Sequence, residues 1–598
     1  MRELIDCGDG VRLERGVACR MSDGVTLISD HYYPAGASET AQPTLLMRQP
    51  YGRDIASTVV YAHPVWWARQ GYNVVIQDVR GRGDSEGEFY PFRHERKDGA
   101  ETIAWVRARA ECDGKVGMYG FSYQGATQLL AAAEQPEGLV CIAPAMTACD
   151  LYAGWFYHNG ALRLGSAMGW GLQMLRFDAR RLGLTAAHDA LEAAWLKGRE
   201  QALFAPYGEL ACLQAEGLPT YVKDWFEHAE AGEYWRALDV SGALDKIAVP
   251  ALHVAGWFDT YLQGSWDGYR ALRDGAGTVF AREQQYLLAG PWVHIPWGAK
   301  VGEGNFGADA AVDTDAILLR WFNHWLKGTG EFAGEPKVKH FVEGAGVKEG
   351  RRWFCSEELG GAGRETFYLG SGGRANSSKG DGVLVSLAEE DEQASNEKQI
   401  PPLRYGMTNQ KGIRDGAADF FVYDPEVPVL APGGMVAASG LFDQAGMEQG
   451  NNLLVYTSAP LERELHVFGE PELVLYAATS AGSADFTGKL VRVTPEGRAE
   501  FVCIGIVRSG FLFEEYKADE VHEWRFKLEP TSCVFGVGDR VRLEVAGSAF
   551  PLYDRNSSNA TPAREASAWN WGRSTHSVLH GAEHVSRLVL QVMDGGGA

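Results

Sequence analysis

At 598 residues the chain exceeds what one hydrophobic core ordinarily supports, so two or three domains are expected. Its hydrophobic content of 45% and its 18 Trp exclude a disordered or low-complexity protein. A formal net charge of -22 disfavours nucleic acid and anionic membrane as partners.

The first twenty residues mix acidic and basic side chains and lack an apolar core with a small-residue cleavage site, so no signal peptide is expected. No stretch is long and apolar enough to predict a membrane-spanning helix. The nine cysteines, from Cys7 to Cys533, show neither CxxC pairs nor zinc-ligand spacing. They read as reduced, mostly buried thiols of a cytoplasmic protein, and no metal or cofactor is expected.

Short apolar runs at Thr44 to Met47, Asn73 to Gln77, Val116 to Tyr119 and Leu139 to Ile142 predict strands. Amphipathic segments at Asp98 to Arg109 and Gln124 to Glu134 lie between them, which is the pattern of βαβ units and a largely parallel sheet. From Asp150 to Asp245 the sequence turns Ala-, Leu- and Trp-rich, as at Thr185 to Ala202, and predicts a helical insertion. Strands resume at Val249 to Ala255 and Gln285 to Ala289, followed by a helix around Ala316 to Leu326. The polar stretch Ser371 to Pro402 predicts an extended loop. Beyond it, alternating segments such as Glu472 to Tyr476, Lys489 to Val493, Glu500 to Ile504 and Arg540 to Val545 predict an antiparallel sandwich or jelly roll. The expected fold is therefore α/β: a hydrolase-type sheet at residues 1–149 and 246–350, a helical cap at 150–245 and a β jelly roll at 351–598.

The segment Gly120-Phe121-Ser122-Tyr123-Gln124-Gly125 follows a strand and opens a helix. Such a nucleophile elbow lifts a serine hydroxyl above the sheet, and its glycines keep side chains out of the tight strand-to-helix turn. A glycine-rich turn capped by serine would look similar, but the flanking strand and helix favour a nucleophile. A serine needs an imidazole to take its proton and an acid to orient that imidazole, in the chain order Ser, Asp, His. Asp259 in Gly256-Trp257-Phe258-Asp259 and His294 in Gly290-Pro291-Trp292-Val293-His294 each follow a strand, where an open α/β sheet builds its site. Asp259 could instead cap the helix after it. His158 is a rival base, His324 falls among packing residues of an amphipathic helix, and His253 lies within a strand.

Taken with the segment Gln77-Asp78-Val79-Arg80-Gly81-Arg82-Gly83-Asp84-Ser85-Glu86-Gly87, these motifs resemble the cocaine esterase, glutaryl acylase and α-amino acid ester hydrolase family, distant relatives of X-prolyl dipeptidyl peptidases. The late segments Asp485 to Leu490 and Tyr553 to Asn556 extend the resemblance over nearly the whole chain. By that resemblance the oxyanion hole is the hydroxyl of Tyr51, in Arg48-Gln49-Pro50-Tyr51-Gly52, with the backbone N–H of Tyr123. Trp155, Trp170 and Tyr261 match the aromatic walls of the family's acyl pocket, with ordinary core packing as the plainer reading of each. Around Gly434 to Gly440 the small residues Met435-Val436-Ala437-Ala438 depart from the bulkier family pattern. The resemblance implies a serine hydrolase acting on a small-molecule ester or amide, in a family where homo-oligomers are common. An amide-cleaving acylase or peptidase is one alternative, and a non-catalytic protein binding through its jelly roll is another.

Overall fold

The structure, a computed structural model, describes residues 4–593 apart from 38, 55–59, 197–209, 331, 333, 345–351, 387–417, 434–438, 560, 563–564 and 567–568. Seven strands lead the chain: β1 (Leu4–Asp6), β2 (Arg12–Arg20), β3 (Thr26–Tyr33), β4 (Gln42–Gln49), β5 (Asn73–Asp78), β6 (Cys112–Phe121) and β7 (Leu139–Ala145). After a two-residue hairpin, β8 (Tyr157–His158) with β9 (Ala161–Leu162), come β10 (Ala251–Phe258) and β11 (Gln285–Val293). They form one sheet in the order β1-β2-β3-β5-β4-β6-β7-β10-β11, extended by Val338–Phe341 and Trp353–Ser356. Pairing is parallel from β5 to Val338–Phe341. Strands β5 and β11 are buried at every position, as a parallel sheet covered on both faces requires.

Strands β1 to β3 are an antiparallel extension that the apolar-run reading missed. The register of β2 against β3 shifts between Glu14 and Val17, so strict alternation is broken where it would have announced the strand. After the short helix Pro64–Arg69 (α1), the helices Glu95–Arg107 (α2) and Tyr123–Ala132 (α3) occur where the amphipathic segments predict them. The helix expected around Ala316 to Leu326 runs over Thr314–Phe322 and continues as a π turn, Asn323–Lys327.

Between β7 and β10 the described residues hold the short hairpin and otherwise only helices joined by turns, with α4 (Leu164–Arg181) and α5 (Thr185–Leu196) the longest. The remainder of the predicted Thr185 to Ala202 segment lies outside them. After the polar stretch, which lies outside the described residues from 387 onward, the C-terminal part is β-rich. In Arg540–Ala546 the side chains of Val541, Leu543 and Val545 are buried, and this strand pairs antiparallel with Leu453–Ser458 and Asp485–Val493.

Two late motif segments meet where the cap hairpin touches the β domain. The Tyr553 hydroxyl contacts His158 Nδ1 at 2.7 Å, and the Leu162 N–H donates to Asp554 Oδ1 at 2.9 Å. Arg508 bridges Asp485 and Asp554, and Asn556 donates to Asp485 at 2.7 Å. The segments Asp485 to Leu490 and Tyr553 to Asn556 thus fasten one domain to another.

Candidate active site

Strand β6 ends at Phe121 and α3 starts at Tyr123, which leaves Ser122 alone in the turn at φ 60°, ψ −128°. A non-glycine residue rarely adopts this backbone, and the strain persists because the surroundings fix it. A Cβ at position 120 would lie 2.5 Å from Gln124 Cβ, and one at position 125 would lie 2.8 Å from Thr147, so both glycines are required by close packing. The first N–H groups of α3 have no intrahelical acceptor, which leaves the Tyr123 N–H beside the nucleophile available to an oxyanion.

Asp259 follows β10 and His294 follows β11, so adjacent parallel strands deliver acid and base to the carboxyl edge of the sheet. His294 Nδ1 lies 2.6 Å from Asp259 Oδ1, and the Tyr261 N–H donates to Oδ2 at 3.1 Å. Both carboxylate oxygens of this fully buried Asp are engaged, and Nε2 of the imidazole is the nitrogen left to exchange a proton. The imidazole packs on Phe121, the residue before the nucleophile, at 5.3 Å, and edge-on to Tyr261 at 5.2 Å. Asp259 does not cap the following helix; Tyr261 occupies that position.

The rival histidines are placed elsewhere. His158 is buried against Tyr553 and Glu529, and burial holds its pKa well below the ordinary histidine range. His253 is buried within β10 and contacts Gln285, while His324 packs edge-on to Trp325.

The Tyr51 phenol lies against Ser122 and Trp170, and burial pushes its pKa up to about 12. At neutral pH it is therefore a protonated donor. Its backbone is fixed by the Gln49 side chain, which accepts the Tyr51 N–H at 2.8 Å. The Tyr123 ring, by contrast, points away from Ser122: its hydroxyl donates to Glu95 at 2.9 Å and accepts the Phe92 N–H at 2.9 Å.

Trp155 and Tyr261 stack at 4.0 Å, Trp170 lies 5.8 Å from Trp155, and Phe92 completes the group at 5.3 Å from Trp155. The four rings share one aromatic cluster beside Tyr51 and His294. Phe92 was not anticipated, because nothing in its local sequence distinguishes it. The small residues of 434–438, expected to reshape the pocket, lie outside the described residues.

Motif reading also missed the buried base of the site. Glu95 of α2 receives Arg48 at 2.7 Å as well as Tyr123, joining the Tyr51 motif to the elbow. In the Gln77 to Gly87 segment, Arg80 forms a forked pair with Asp98, and Arg82 forms one with Asp178 of α4 at 2.9 and 3.0 Å. A Cβ at Gly83 would strike the Asp78 carboxylate, which Arg53 holds. This loop thus ties sheet and cap together around the mouth of the site.

A serine at a strand-to-helix elbow and a histidine held by a buried aspartate are the arrangement expected of a serine hydrolase of the α/β-hydrolase fold. Residues 23–296 match the X-Pro dipeptidyl-peptidase (S15 family) model, and residues 331–589 match that of the X-Pro dipeptidyl-peptidase C-terminal non-catalytic domain. Cocaine esterase from Rhodococcus sp. (strain MB1 Bresler) is 33% identical, with 96% of this chain and 97% of that protein aligned. Among solved structures, an aminopeptidase from the marine sediment archaeon Thaumarchaeota archaeon superposes with a TM-score of 0.75 at 21% identity, covering 97% of this chain and 96% of the other. An α-amino acid ester hydrolase superposes with a TM-score of 0.72 at 22% identity over 98% and 97%. The chain belongs to the X-Pro dipeptidyl-peptidase (S15) family, in the branch that contains cocaine esterase.

Proposed function

We propose that this serine hydrolase cleaves carboxylic esters through an acyl-enzyme, with Ser122 as nucleophile, His294 as proton carrier and Asp259 as the acid that orients it. The observation that carries the reading is the 2.6 Å contact between Asp259 and His294 Nδ1, which fixes the imidazole beside the strained elbow of Ser122. In acylation the Ser122 oxygen attacks the ester carbonyl while His294 takes its proton. His294 then returns that proton to the departing alkoxide, and a water, deprotonated in turn by His294, releases the acid. Tyr51 Oη–H and the Tyr123 N–H donate to the tetrahedral oxygen.

Trp155, Trp170, Tyr261 and Phe92 form the acyl pocket, whose apolar rings favour an aryl or arylalkyl acyl group. Residues 150–245 serve as the cap over this pocket. Free cysteines throughout the described residues suit a reducing cytoplasm, and no described helix is long and apolar enough to cross a membrane.

Ser122→Ala should lower kcat for a p-nitrophenyl ester by on the order of 10⁶ and abolish labelling by a fluorophosphonate probe. Retention of more than about 1% of the rate would assign the nucleophile elsewhere. Turnover of matched anilides faster than esters would move the enzyme to the amide-cleaving side of its family.

A further inference from the structure

A cavity of about 450 Å³ opens beside the reacting centre, lined by Pro50, Tyr51, Arg82, Phe177, Arg180 and Arg181. Tyr51 belongs to both this cavity and the Ser122 site. Helix α4 connects the two: Phe177 lies seven residues after Trp170, two turns or about 10 Å along the same face, and Arg180 and Arg181 form the next turn. The helix thus presents an aromatic wall to the acyl pocket and a cationic end to the adjoining cavity.

The three arginines differ in how they are compensated. Arg82 is neutralised by Asp178. Among the described residues Arg181 donates to the carbonyl oxygens of Gly83, at 2.9 Å, and Ser85, at 2.6 Å, and forms no direct ion pair, although the Asp178 carboxylate, already forked by Arg82, lies within its field. Arg180 is exposed and forms no ion pair with a described residue, in a chain whose carboxylates outnumber its cations by 22. Basic residues in the last turn of a helix favour its dipole. That effect needs no particular lining, whereas here both charges line a cavity that contains the oxyanion tyrosine.

We propose that this cavity seats the leaving group of the substrate, and that Arg180 and Arg181 select leaving groups that carry a carboxylate. The assignment rests on Ser122 and Tyr51 as the reacting centre. The acyl part enters the buried ring cluster, so the leaving alcohol faces the open side, where the arginines stand. Guanidinium and carboxylate make charge-assisted hydrogen bonds, and the fixed position of Arg181 spares part of the ordering cost.

The test uses two phenylacetate esters that differ only in the para substituent of the leaving phenol, carboxylate or carboxamide. For each, kcat/KM is divided by the uncatalysed hydroxide rate to remove intrinsic reactivity. The wild type should favour the carboxylate by about tenfold at low ionic strength, and the preference should shrink with added salt. Arg180→Gln, which breaks no side-chain hydrogen bond or ion pair among the described residues, should reduce the ratio several-fold, and the Arg180→Gln, Arg181→Gln double variant should bring it near unity. Equal rates for the two esters in the wild type, or a ratio that survives both variants, would overturn the proposal. Calorimetric binding of the same esters to Ser122→Ala separates this outcome from failure of the hydrolase reading. If neither ester is turned over, tighter binding of the carboxylate that disappears with Arg180→Gln still supports the cavity assignment, and equal binding still refutes it.

Discussion

The Tyr51 hydroxyl lies against Ser122, as the proposed oxyanion donor should, and burial keeps its phenol protonated well above neutrality. Tyr51→Phe removes one donor and little volume, so kcat should fall by roughly 10² to 10³ with KM nearly unchanged. A loss confined to KM would make Tyr51 a binding ring instead. A second expectation concerns the two residues after Thr260, which are Tyr261 and Leu262, both buried and neither able to pair with a cation. The nearby carboxylates are committed, Asp259 to His294 and Glu529 to Arg163. An ammonium in the acyl pocket would carry a desolvation cost of several kcal/mol, of which aromatic faces recover only about 0.5 to 2. Phenylacetate esters should therefore be turned over faster than phenylglycine esters, with the gap narrowing as pH rises and the amine loses its proton. Preference for phenylglycine methyl ester at neutral pH would show that another acid reaches the pocket. The candidate residues were legible because each sits in a short segment with its own signature: a glycine-flanked serine, and an Asp and a His just past apolar strands. Glu95 and Phe92 lack such signatures, since their roles depend on partners tens of residues away.

At the scale of elements, the elbow shows how tightly local sequence and packing are coupled. A methyl group at Gly125 would lie 2.8 Å from the Thr147 side chain and 2.9 Å from the Ala145 carbonyl, both backed by the sheet. Gly125→Ala should then cost about 1 to 3 kcal/mol of stability and displace the start of α3, lowering kcat as well as the melting temperature. An unchanged kcat at a lowered melting temperature would mean that Ser122 keeps its position despite the strain. The central strands were readable because parallel strands covered on both faces are continuous apolar runs. The antiparallel leading strands were not, because β2 carries a register shift and one exposed face. The β8–β9 hairpin and the π turn at Asn323–Lys327 likewise escape periodicity: two-residue strands have no repeat to detect, and a π turn breaks the helical one.

For the whole molecule, one buried contact joins cap to β domain near Asp259, and no local sequence signal could have revealed it. Arg163, at the start of α4, donates to Glu529 at 2.9 Å, with both side chains fully buried. His158, Tyr553, Asp259, Tyr261 and Cys503 are titratable groups around the pair. Burial raises the Glu529 pKa from 4.5 to about 7, outweighing the opposing pull of Arg163, while Asp259 adds to the rise. Between those two pH values the folded protein retains a proton that the unfolded chain has released. Glu529 therefore contributes stability that is fully present below about pH 4.5 and is lost as pH rises toward 7. His158 opposes this trend, because burial keeps it neutral in the folded protein while the unfolded chain gains a proton on acidification, but wild type and variant share that effect. Glu529→Gln preserves the shape and an acceptor for Arg163 but removes the titration. Melting temperatures measured for both proteins at pH 5 and pH 7.5 isolate this group from the other carboxyls, which the two share. The wild type should gain relative to the variant on acidification. Parallel curves would mean that Arg163 holds Glu529 ionised across the whole range, so that the seam is an ion pair at every working pH.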